Sequence, residues 1–357
     1  MVLLPVLAWA QQAAPPQTSV SPVVAQDPAH APRAAYTPTS APPEGRIHLD
    51  VVVTDKSGKA VTGLELEDFT LKDDGLAAKI LSFHAVDTSA QKAGHPDEVI
   101  VLLDAVNLGL ETVTRSRDQV VNFLRENGGH LAQPVTVFLF TDQGVKVLLQ
   151  PSLDGNAMAA QLEKTETGLR TIGRSAQYGG FDRYDLSLKW IEMIAKSEVK
   201  RPGKKLLVWA GPGWPLLNRA STQIDAKQQK IVFNGIVDLS TLLREARISV
   251  YSVSMGNPGL GTYLYEDYLK GVKTQEKTNL PNLSLKVLAT QSGGRVMGPD
   301  NDITAQMDTC VQDAKAFYTI SFDPPKADHA DEYHDLKVEI GKPGLTARTN
   351  TGYYNQP

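Results

Sequence analysis

Asp104 is the residue whose type and position most clearly offer chemistry. It ends the apolar segment VIVLLD at residues 99–104, where a buried strand is predicted to run into a loop. A carboxylate at that point could begin a metal-binding loop, because Mg²⁺ and Ca²⁺ are held by oxygen ligands. Alternatively, the side chain accepts hydrogen bonds from the loop backbone and caps it. The residues leave both interpretations open.

Motifs for catalysis are absent from the sequence. It contains no Gly-x-Ser-x-Gly, no His-Glu-x-x-His and no phosphate-binding loop ending in Gly-Lys-Ser or Gly-Lys-Thr. The glycine-rich segment at 256–261 lacks the spacing of a dinucleotide-binding loop, which favours a surface loop. His329 and His334 bracket Asp331 and Glu332, and we interpret this group as a solvated turn rather than an opportunistic metal site. No enzymatic activity is therefore expected.

The composition is that of an ordinary globular protein. Apolar residues make up 41% of the 357 residues, charged residues make up 21%, and the formal net charge is −4. No basic stripe is present, so a nucleic-acid partner is not expected. The single cysteine, Cys310, cannot form an intrachain disulfide and is expected to be a small buried hydrophobic residue.

The first 45 residues differ in composition from the rest. Residues 1–10, MVLLPVLAWA, form a short apolar run that ends in Ala-x-Ala. This predicts the remnant of a signal peptide, although no Lys or Arg precedes the run, and an unstructured tail is the alternative. Residues 11–45 are rich in Ala and Pro and predict a disordered linker. No later stretch approaches the ~18 apolar residues of a membrane helix. The protein is therefore expected to be exported, to the periplasm or beyond, without a membrane span.

Strands and helices are predicted to alternate over residues 97–315. Apolar strands such as 135–140 and 204–210 are separated by amphipathic segments such as 111–127. The segment 145–150 follows a turn, TDQG, and is predicted to return antiparallel. Continuous apolar strands with helices between them indicate a sheet that is covered on both faces. The predicted fold class is α/β, with a doubly wound and mostly parallel sheet.

The two flanking segments are predicted to form one antiparallel β-sandwich. Residues 46–88 contain strand candidates separated by turns at 55–58 and 74–75, but the segment is too short to bury a core alone. Residues 316–357 contain three further strand candidates. Because chain ends often lie close together in space, these two segments are predicted to supply each other's missing strands.

The order of these segments resembles a known family. The strand that ends at Asp104, the hairpin VTVFLFTDQGVKVLLQ and the strand KKLLVWA resemble a von Willebrand factor type A (VWA) domain. The flanks VVVTDKSGKAVTGLELEDFTLKDDG and YTISFDPP…HDLKVEI…TARTNTGYY resemble the bacterial secreted VWFA-related domain proteins. The resemblance covers about residues 46–354. It implies a VWA-like domain at 97–315 and a β-sandwich built from 46–88 and 316–357.

The resemblance also implies a metal site built from three loops, which supply Asp-x-Ser-x-Ser, a Thr and an Asp. Only Asp104 matches, because Val106 and Leu108 occupy the serine positions. No Thr lies near 181–182, and the third loop reads Gly-Pro-Gly at 211–213. Since Mg²⁺ requires near-octahedral oxygen ligands, we expect a degenerate site without a cofactor. The alternative is a rearranged Mg²⁺ or Ca²⁺ site whose ligands are Asp104, Asn107, Asp182 and Asp185.

The loops at the carboxyl ends of the strands also carry aromatic and apolar residues. In open α/β sheets, ligands gather at this edge, and exposed aromatic groups suit protein recognition. The alternative is that these side chains pack the loops onto the helices. The candidate binding face consists of Asp104, Asn107, Phe181, Asp182, Tyr184, Trp214 and Leu216.

The function predicted from these features is that of an exported, non-enzymatic interaction module of the adhesion or scaffold type. Its partner would be another protein or a component of the cell envelope. Two alternatives remain at this point. One is a metal-dependent adhesion domain with rearranged ligands, and the other is a hydrolase with an unrecognised site.

Overall fold

The computed structural model describes residues 45–87, 97–148, 151–166, 179–214, 224–255, 265–298 and 300–357. The predicted signal peptide, residues 11–44 of the predicted linker, the segment 256–261 and Leu216 lie outside these described residues. The strands are β1 (Ile47–Thr54), β2 (Phe69–Asp73), β3 (Leu76–Ala78), β4 (Ser82–Asp87), β5 (Glu98–Asp104), β6 (His130–Thr141), β7 (Gly144–Val147), β8 (Ser152–Asp154), β9 (Lys205–Ala210), β10 (Ile248–Val253), β11 (Arg295–Val296), β12 (Ala316–Phe322), β13 (Glu332–Ile340), β14 (Thr346–Arg348) and β15 (Gly352–Asn355). The helices are α1 (Leu110–Arg125), α2 (Gly155–Lys164), α3 (Gly180–Glu198), α4 (Ala226–Glu245), α5 (Leu285–Gln291) and α6 (Ile303–Lys315).

A seven-stranded sheet forms the α/β layer. Its order is β11-β10-β9-β5-β6-β7, and β8 pairs with β6. The pairings from β11 to β6 are parallel, whereas β7 and β8 run antiparallel to β6. The predicted mostly parallel sheet and its antiparallel hairpin are thus confirmed. The central strand β5 is buried along its whole length, as expected for a strand that is covered on both faces.

Helices cover both faces of this sheet. Apolar residues of α3, α4 and α5 form one core cluster with the sheet, and apolar residues of α1, α2 and α6 form the other. Cys310 of α6 is fully buried in the second cluster, as predicted. Burial raises the pKa of its thiol well above the ordinary value, so the thiol is neutral at physiological pH.

The two ends of the described chain build the β-sandwich. One sheet has the order β14-β1-β12-β4, and the other has the order β15-β13-β2-β3, with antiparallel pairing throughout. β1 pairs with β12 from Ile47 opposite Phe322 to Val51 opposite Tyr318. The predicted exchange of strands between the flanks is therefore confirmed. Apolar residues from both flanks form the core between the two sheets, among them Leu49, Val51, Leu71, Tyr318, Ile320 and Phe322.

Buried ion pairs join the sandwich to the α/β layer. Asp313 of α6 accepts hydrogen bonds from Arg295 of β11, at 2.8 and 2.9 Å, and from Arg348 of β14, at 2.6 Å. Arg247, directly before β10, pairs with Asp50 of β1 at 2.6 Å. The side chain of Asp313 is 1% exposed and that of Asp50 is 9% exposed. Removal of one partner from such a buried pair strongly destabilises the folded protein, because it leaves an unpaired buried charge. These pairs therefore favour one packing arrangement of the sandwich on the α/β layer.

Candidate functional site at Asp104

The carboxyl ends of the central strands lie at one edge of the sheet. β5 ends at Asp104 and β9 ends at Ala210, and the two strands are parallel neighbours. α1 begins just after the loop that follows Asp104. α3 approaches the same loop through Ser187, whose Oγ lies 3.3 Å from Nδ2 of Asn107. The first and second predicted loops and the start of the third therefore meet here.

The Asp104 side chain is fully buried and accepts four hydrogen bonds. Its Oδ1 accepts from the backbone N–H of Val106 at 3.0 Å and of Asn107 at 2.8 Å. Its Oδ2 accepts from the Asn107 side chain at 2.9 Å and from Nε1 of Trp209 at 2.9 Å. The carboxylate thus caps the loop between β5 and α1, which is the second of the two sequence interpretations.

Burial and hydrogen bonding have opposite effects on the pKa of Asp104. Burial raises the pKa of the carboxyl above its ordinary value, and the hydrogen bonds from Asn107 and Trp209 partly offset this. Arg183, on the first turn of α3, is 5% exposed, and the Asp104 charge acts to raise its pKa. Burial outweighs that attraction and lowers the pKa of Arg183 below its ordinary value. The guanidinium of Arg183 is therefore a buried positive charge that interacts with Asp104.

Gly211 lets the third loop close over the carboxylate. A Cβ at this position would lie 2.6 Å from Cβ of Asp104 and 3.0 Å from its Oδ2. A larger residue, such as the Asp that the family pattern would place in this loop, would collide with Asp104. The glycine at position 211 is thus explained by close packing against Asp104.

Two aromatic residues of the predicted binding face are buried, which corrects the expectation of an exposed aromatic surface. Trp214 is 3% exposed, donates from Nε1 to the Leu283 carbonyl at 2.9 Å, and packs edge-on against Trp209. Tyr184 is 5% exposed and donates to the Leu280 carbonyl at 3.3 Å. Both side chains have an apolar body and a satisfied polar group, so they pack the loops onto the helices.

The exposed residues at this edge are different ones. Phe181 is 49% exposed, and Asp182 is exposed beside it on the first turn of α3. Leu110, the first residue of α1, is 61% exposed, and it is not among the residues predicted for the binding face. The signal for Leu110 was a large apolar residue directly after the Gly109 N-cap, outside the buried stripe of α1.

The residues around Asp104 do not fit an octahedral magnesium site. Val106 and Leu108, at the serine positions, are buried apolar side chains. Within the described ranges, the carboxylates of Asp104, Asp182 and Asp185 do not converge to within 4.8 Å of one another, so the three acids of the rearranged site are not brought together. The carboxylate oxygens accept hydrogen bonds from N–H donors, and a metal ion would have to displace those donors.

A second group of metal-ligating residue types lies in the sandwich. His334 was grouped with His329, Asp331 and Glu332 from the sequence, but it is buried on β13, and its Nδ1 lies 2.9 Å from Oδ1 of Asp73. Asp74 completes the group, in which one potential ligand atom from each residue lies within 4.8 Å of the others. Tyr353 donates to Oδ2 of Asp73 at 2.7 Å, so a hydrogen-bond network links both oxygens of that carboxylate. The predicted turn grouping of His334 is therefore wrong.

Comparison with protein-family models and with curated proteins finds no match. Among solved structures, an aerotolerance-related membrane protein from Bacteroides fragilis is 15% identical, over 62% of this chain and 100% of that chain, with a TM-score of 0.37. The manganese-loaded Plasmodium vivax TRAP protein is 11% identical, over 76% and 97%, with a TM-score of 0.35. The SpRpn10 VWA domain is 11% identical, over 46% and 76%, with a TM-score of 0.25.

The strand order identifies the fold independently of these scores. When β5, β6, β7, β9, β10 and β11 are numbered from one to six along the chain, their order in the sheet is 3-2-1-4-5-6. The third of these strands, β7, is the antiparallel one on this path. None of the helices in the described ranges is long and apolar enough to cross a bilayer. By the order and direction of its strands, the chain has the VWA-like fold that its sequence predicts.

Proposed function

We propose that this protein is an exported, non-enzymatic interaction module whose VWA-like domain binds its partner without a metal ion at Asp104. The observation that carries the proposal is the set of four N–H donors on the Asp104 carboxylate. The partner is another protein or a component of the cell envelope. The lack of catalytic motifs in the sequence supports the non-enzymatic part of the proposal.

The donors make metal binding at Asp104 unfavourable. An ion that takes Oδ2 must displace the Trp209 indole and the Asn107 amide, and each buried donor left unpaired costs about 1–3 kcal/mol. The buried guanidinium of Arg183 adds a positive charge that repels a second cation. The cost of unpaired donors and the repulsion from Arg183 both support a site that is held by hydrogen bonds and not by a metal ion.

The proposed contact surface consists of Leu110 and Phe181, and we name it the apolar rim. Both residues lie on the first turn of a helix at the carboxyl edge of the sheet, and both are about half exposed or more. Exposed apolar side chains at a ligand-binding edge are typical of protein interfaces. The buried hydrogen bonds of Asp104 hold Val106 and Asn107 in the loop that leads into α1, at whose first position Leu110 lies.

Metal dependence is tested by thermal unfolding of the purified protein in EDTA and in millimolar Mg²⁺, Ca²⁺ or Mn²⁺. A ligand that binds only the folded state at a hundred times its Kd would stabilise it by about 2.7 kcal/mol. We expect no saturable change in Tm with any of these ions. A saturable rise that Asp104→Ala abolishes would overturn the metal-free part of the proposal.

The apolar rim is tested by cross-linked capture from envelope extract. The double variant Leu110→Asp/Phe181→Asp is compared with wild type and with Val199→Asp, which changes an exposed apolar residue at the far end of α3. We expect the double variant to lose a captured partner that wild type and Val199→Asp retain. Equal recovery from all three proteins would remove the rim as the contact surface. Turnover of generic ester, peptide or glycoside substrates would contradict the non-enzymatic part.

A further inference from the structure

The two strands of the hairpin β13–β14 belong to different sheets of the sandwich. β13 lies in the sheet with β2 and β15, whereas β14 lies at the edge of the sheet with β1. The strands therefore diverge and leave a cavity of about 650 Å³ between them. We name this cavity the hairpin groove, and it is lined by residues 336–340 and 345–351 with Thr290, Gly293 and Gly294.

One edge of β13 is open along the groove. β2 pairs with β13 at residues 336–340, whereas β15 pairs with it at residues 332–335, and the last hydrogen bond on that side runs from the Leu336 N–H to the Thr351 carbonyl at 2.8 Å. In the part of the chain that the structure describes, no strand occupies the position next to residues 337–340 on the β15 side. This half of β13 therefore has one unpaired edge, as an edge strand of a sheet does.

The direction of the backbone groups follows from the flanking hydrogen bonds. The N–H of Asp74 donates to the carbonyl of Asp335, and the N–H of Gly341 donates to the carbonyl of Asp68, each at 2.8 Å. The odd-numbered residues of β13 thus face β2. Because backbone groups alternate along an antiparallel strand, Val338 and Ile340 point their N–H and C=O groups toward the groove.

Two threonine hydroxyls in the groove wall are unsatisfied. Oγ1 of Thr349 and Oγ1 of Thr351 are buried and have no hydrogen-bond partner within the described ranges. Thr349 is 8% exposed. Buried polar groups normally have a partner, so these hydroxyls, together with the free backbone groups of β13, indicate a ligand that can donate and accept hydrogen bonds along its length.

The groove also has an apolar floor and a charged outer rim. Leu336 and Val338 belong to the sandwich core, and Ile340, Leu345 and Ala347 pack against it while partly buried. On the outer face, Lys72 and Lys337 share the single carboxylate of Glu339, at 2.7 and 2.8 Å. The side chain of Lys337 is 70% exposed, so its ammonium group is accessible beside the open edge.

We propose that the hairpin groove binds an extended peptide segment of a partner protein, which adds a strand to β13 at residues 337–340. The peptide backbone would pair with Val338 and Ile340, as in other cases of β-strand addition. Alternate side chains of such a strand point to opposite faces, so apolar ones would enter the sandwich and acidic ones would lie beside Lys337. This site is separate from the apolar rim and does not depend on the function proposed for it.

Binding is tested on the full chain with a labelled, capped octapeptide in which Val and Glu alternate. Fluorescence anisotropy measures its affinity, and amide hydrogen exchange measures protection at Val338 and Ile340. We expect saturable binding together with slower exchange at both amides. A peptide that is N-methylated on the backbone nitrogens of its pairing edge is the matched ligand control, and it should not bind.

Two variants separate groove binding from a folding defect. Ile340→Pro removes an N–H that faces the groove but none that pairs with β2, and because Ile340 is only partly buried at the end of β13, the variant should weaken binding about tenfold with the fold retained. Lys337→Glu changes a side chain that is 70% exposed, so it should weaken binding of the Val/Glu peptide and favour a Val/Lys peptide. Lys200→Glu, an exposed lysine on the α/β layer, is the control and should change neither affinity.

Other outcomes overturn the proposal. Absence of binding, or binding that leaves exchange at Val338 and Ile340 unchanged, would show that the groove is not a peptide site. Protection of these amides without peptide that grows with protein concentration would assign the groove to a second copy of the chain. Protection without peptide at every dilution would assign it to the chain's own residues before 45.

Discussion

Nε1 of Trp209 donates a hydrogen bond to Oδ2 of Asp104 at 2.9 Å, across the neighbouring strands β9 and β5. Trp209 lies opposite Leu102, so its side chain projects on the same face of the sheet as Asp104 two residues later. The strand that precedes the third loop therefore supplies an indole donor beside the carboxylate. Asp104 keeps a structural function in this arrangement even if no metal binds.

The Trp209–Asp104 hydrogen bond should be measurable as a coupling energy. Trp209→Phe removes one of the two donors to Oδ2, and Asp104→Ala removes the acceptor of all four hydrogen bonds, so each single change leaves buried polar groups with fewer hydrogen bonds. We expect each variant to lose about 2–4 kcal/mol in the free energy of unfolding by urea, with a coupling of about 1–3 kcal/mol in the double-mutant cycle. Tyr251→Phe, whose hydroxyl donates to Asp313, serves as the control and should add independently to Asp104→Ala. Additive effects of Trp209→Phe and Asp104→Ala would contradict the assignment.

Gly211→Ala tests how closely the third loop packs on Asp104. The new Cβ would lie 2.6 Å from Cβ of Asp104, which is closer than non-bonded carbons approach. We expect a loss of about 1–3 kcal/mol in the free energy of unfolding, the usual cost of overpacking a well-packed site. Gly298→Ala is the matched control, because nothing lies within 4 Å of its added Cβ. Equal urea midpoints for the two variants would show that the loop moves away from Asp104 without cost.

The elements of the α/β layer were predictable because their signals are local. A continuous apolar run such as 99–104 and the helical spacing of 111–127 each lie within a single window of sequence. The exchange of strands between the flanks was predictable for a different reason, since neither flank can bury a core alone. Both inferences depend on how much apolar surface a segment must bury, which composition and spacing express directly.

The site was less predictable because its contacts are distant in sequence. Trp209 lies in an apolar strand, and only the register of β9 against β5 places its indole beside Asp104. His334 pairs with Asp73 across 261 residues, whereas the sequence suggested its near neighbours. Trp214 is an aromatic residue in a loop, and nothing local distinguishes an exposed tryptophan from one whose N–H reaches a buried carbonyl. These features follow from tertiary packing.

Lys205 should make stability depend on pH in the alkaline range. Its Nζ donates to the carbonyls of Glu198 and Ala246, at the ends of α3 and α4. Burial lowers the pKa of Lys205 to about 8, below the ordinary value of 10.5. Between these two values the unfolded chain binds more protons than the folded chain, so the contribution of Lys205 to stability rises with pH.

The variant Lys205→Met lacks this increase in stability with pH. We expect its deficit in the free energy of unfolding, relative to wild type, to grow between about pH 8 and pH 10, by on the order of 2–3 kcal/mol. Urea unfolding across this range measures the deficit, and Lys200→Met, an exposed lysine, should show no such trend. A deficit that stays constant with pH would show that Lys205 has the same pKa in both states.

The buried ion pairs between the sandwich and the α/β layer should make the protein sensitive to acid. Burial acts to raise the pKa of Asp313, but the hydrogen bond from Arg295 and the charges of Arg348 and Arg295 outweigh it and hold that pKa below its ordinary value. Burial also acts to raise the pKa of Asp50, but the charges of Arg247 and Lys204 together with the hydrogen bonds from Arg247 and Thr319 outweigh it, so this pKa is lowered as well. Carboxyl groups with lowered pKa values stabilise the fold above the unfolded pKa, and this contribution is lost as the pH falls through the folded values.

Asp313→Asn tests this dependence directly. At neutral pH, the variant leaves the guanidinium groups of Arg295 and Arg348 without their buried counter-charge, so we expect a loss of about 3–5 kcal/mol in the free energy of unfolding. The difference from wild type should narrow as the pH falls below about 4, because the unfolded wild-type chain then takes up a proton at Asp313 that the folded chain does not bind until lower pH. Asp323→Asn, which breaks an exposed pair with Arg46, should leave the urea midpoint unchanged. If the difference between Asp313→Asn and wild type were the same at neutral and acid pH, the charge on Asp313 would not contribute to joining the two parts.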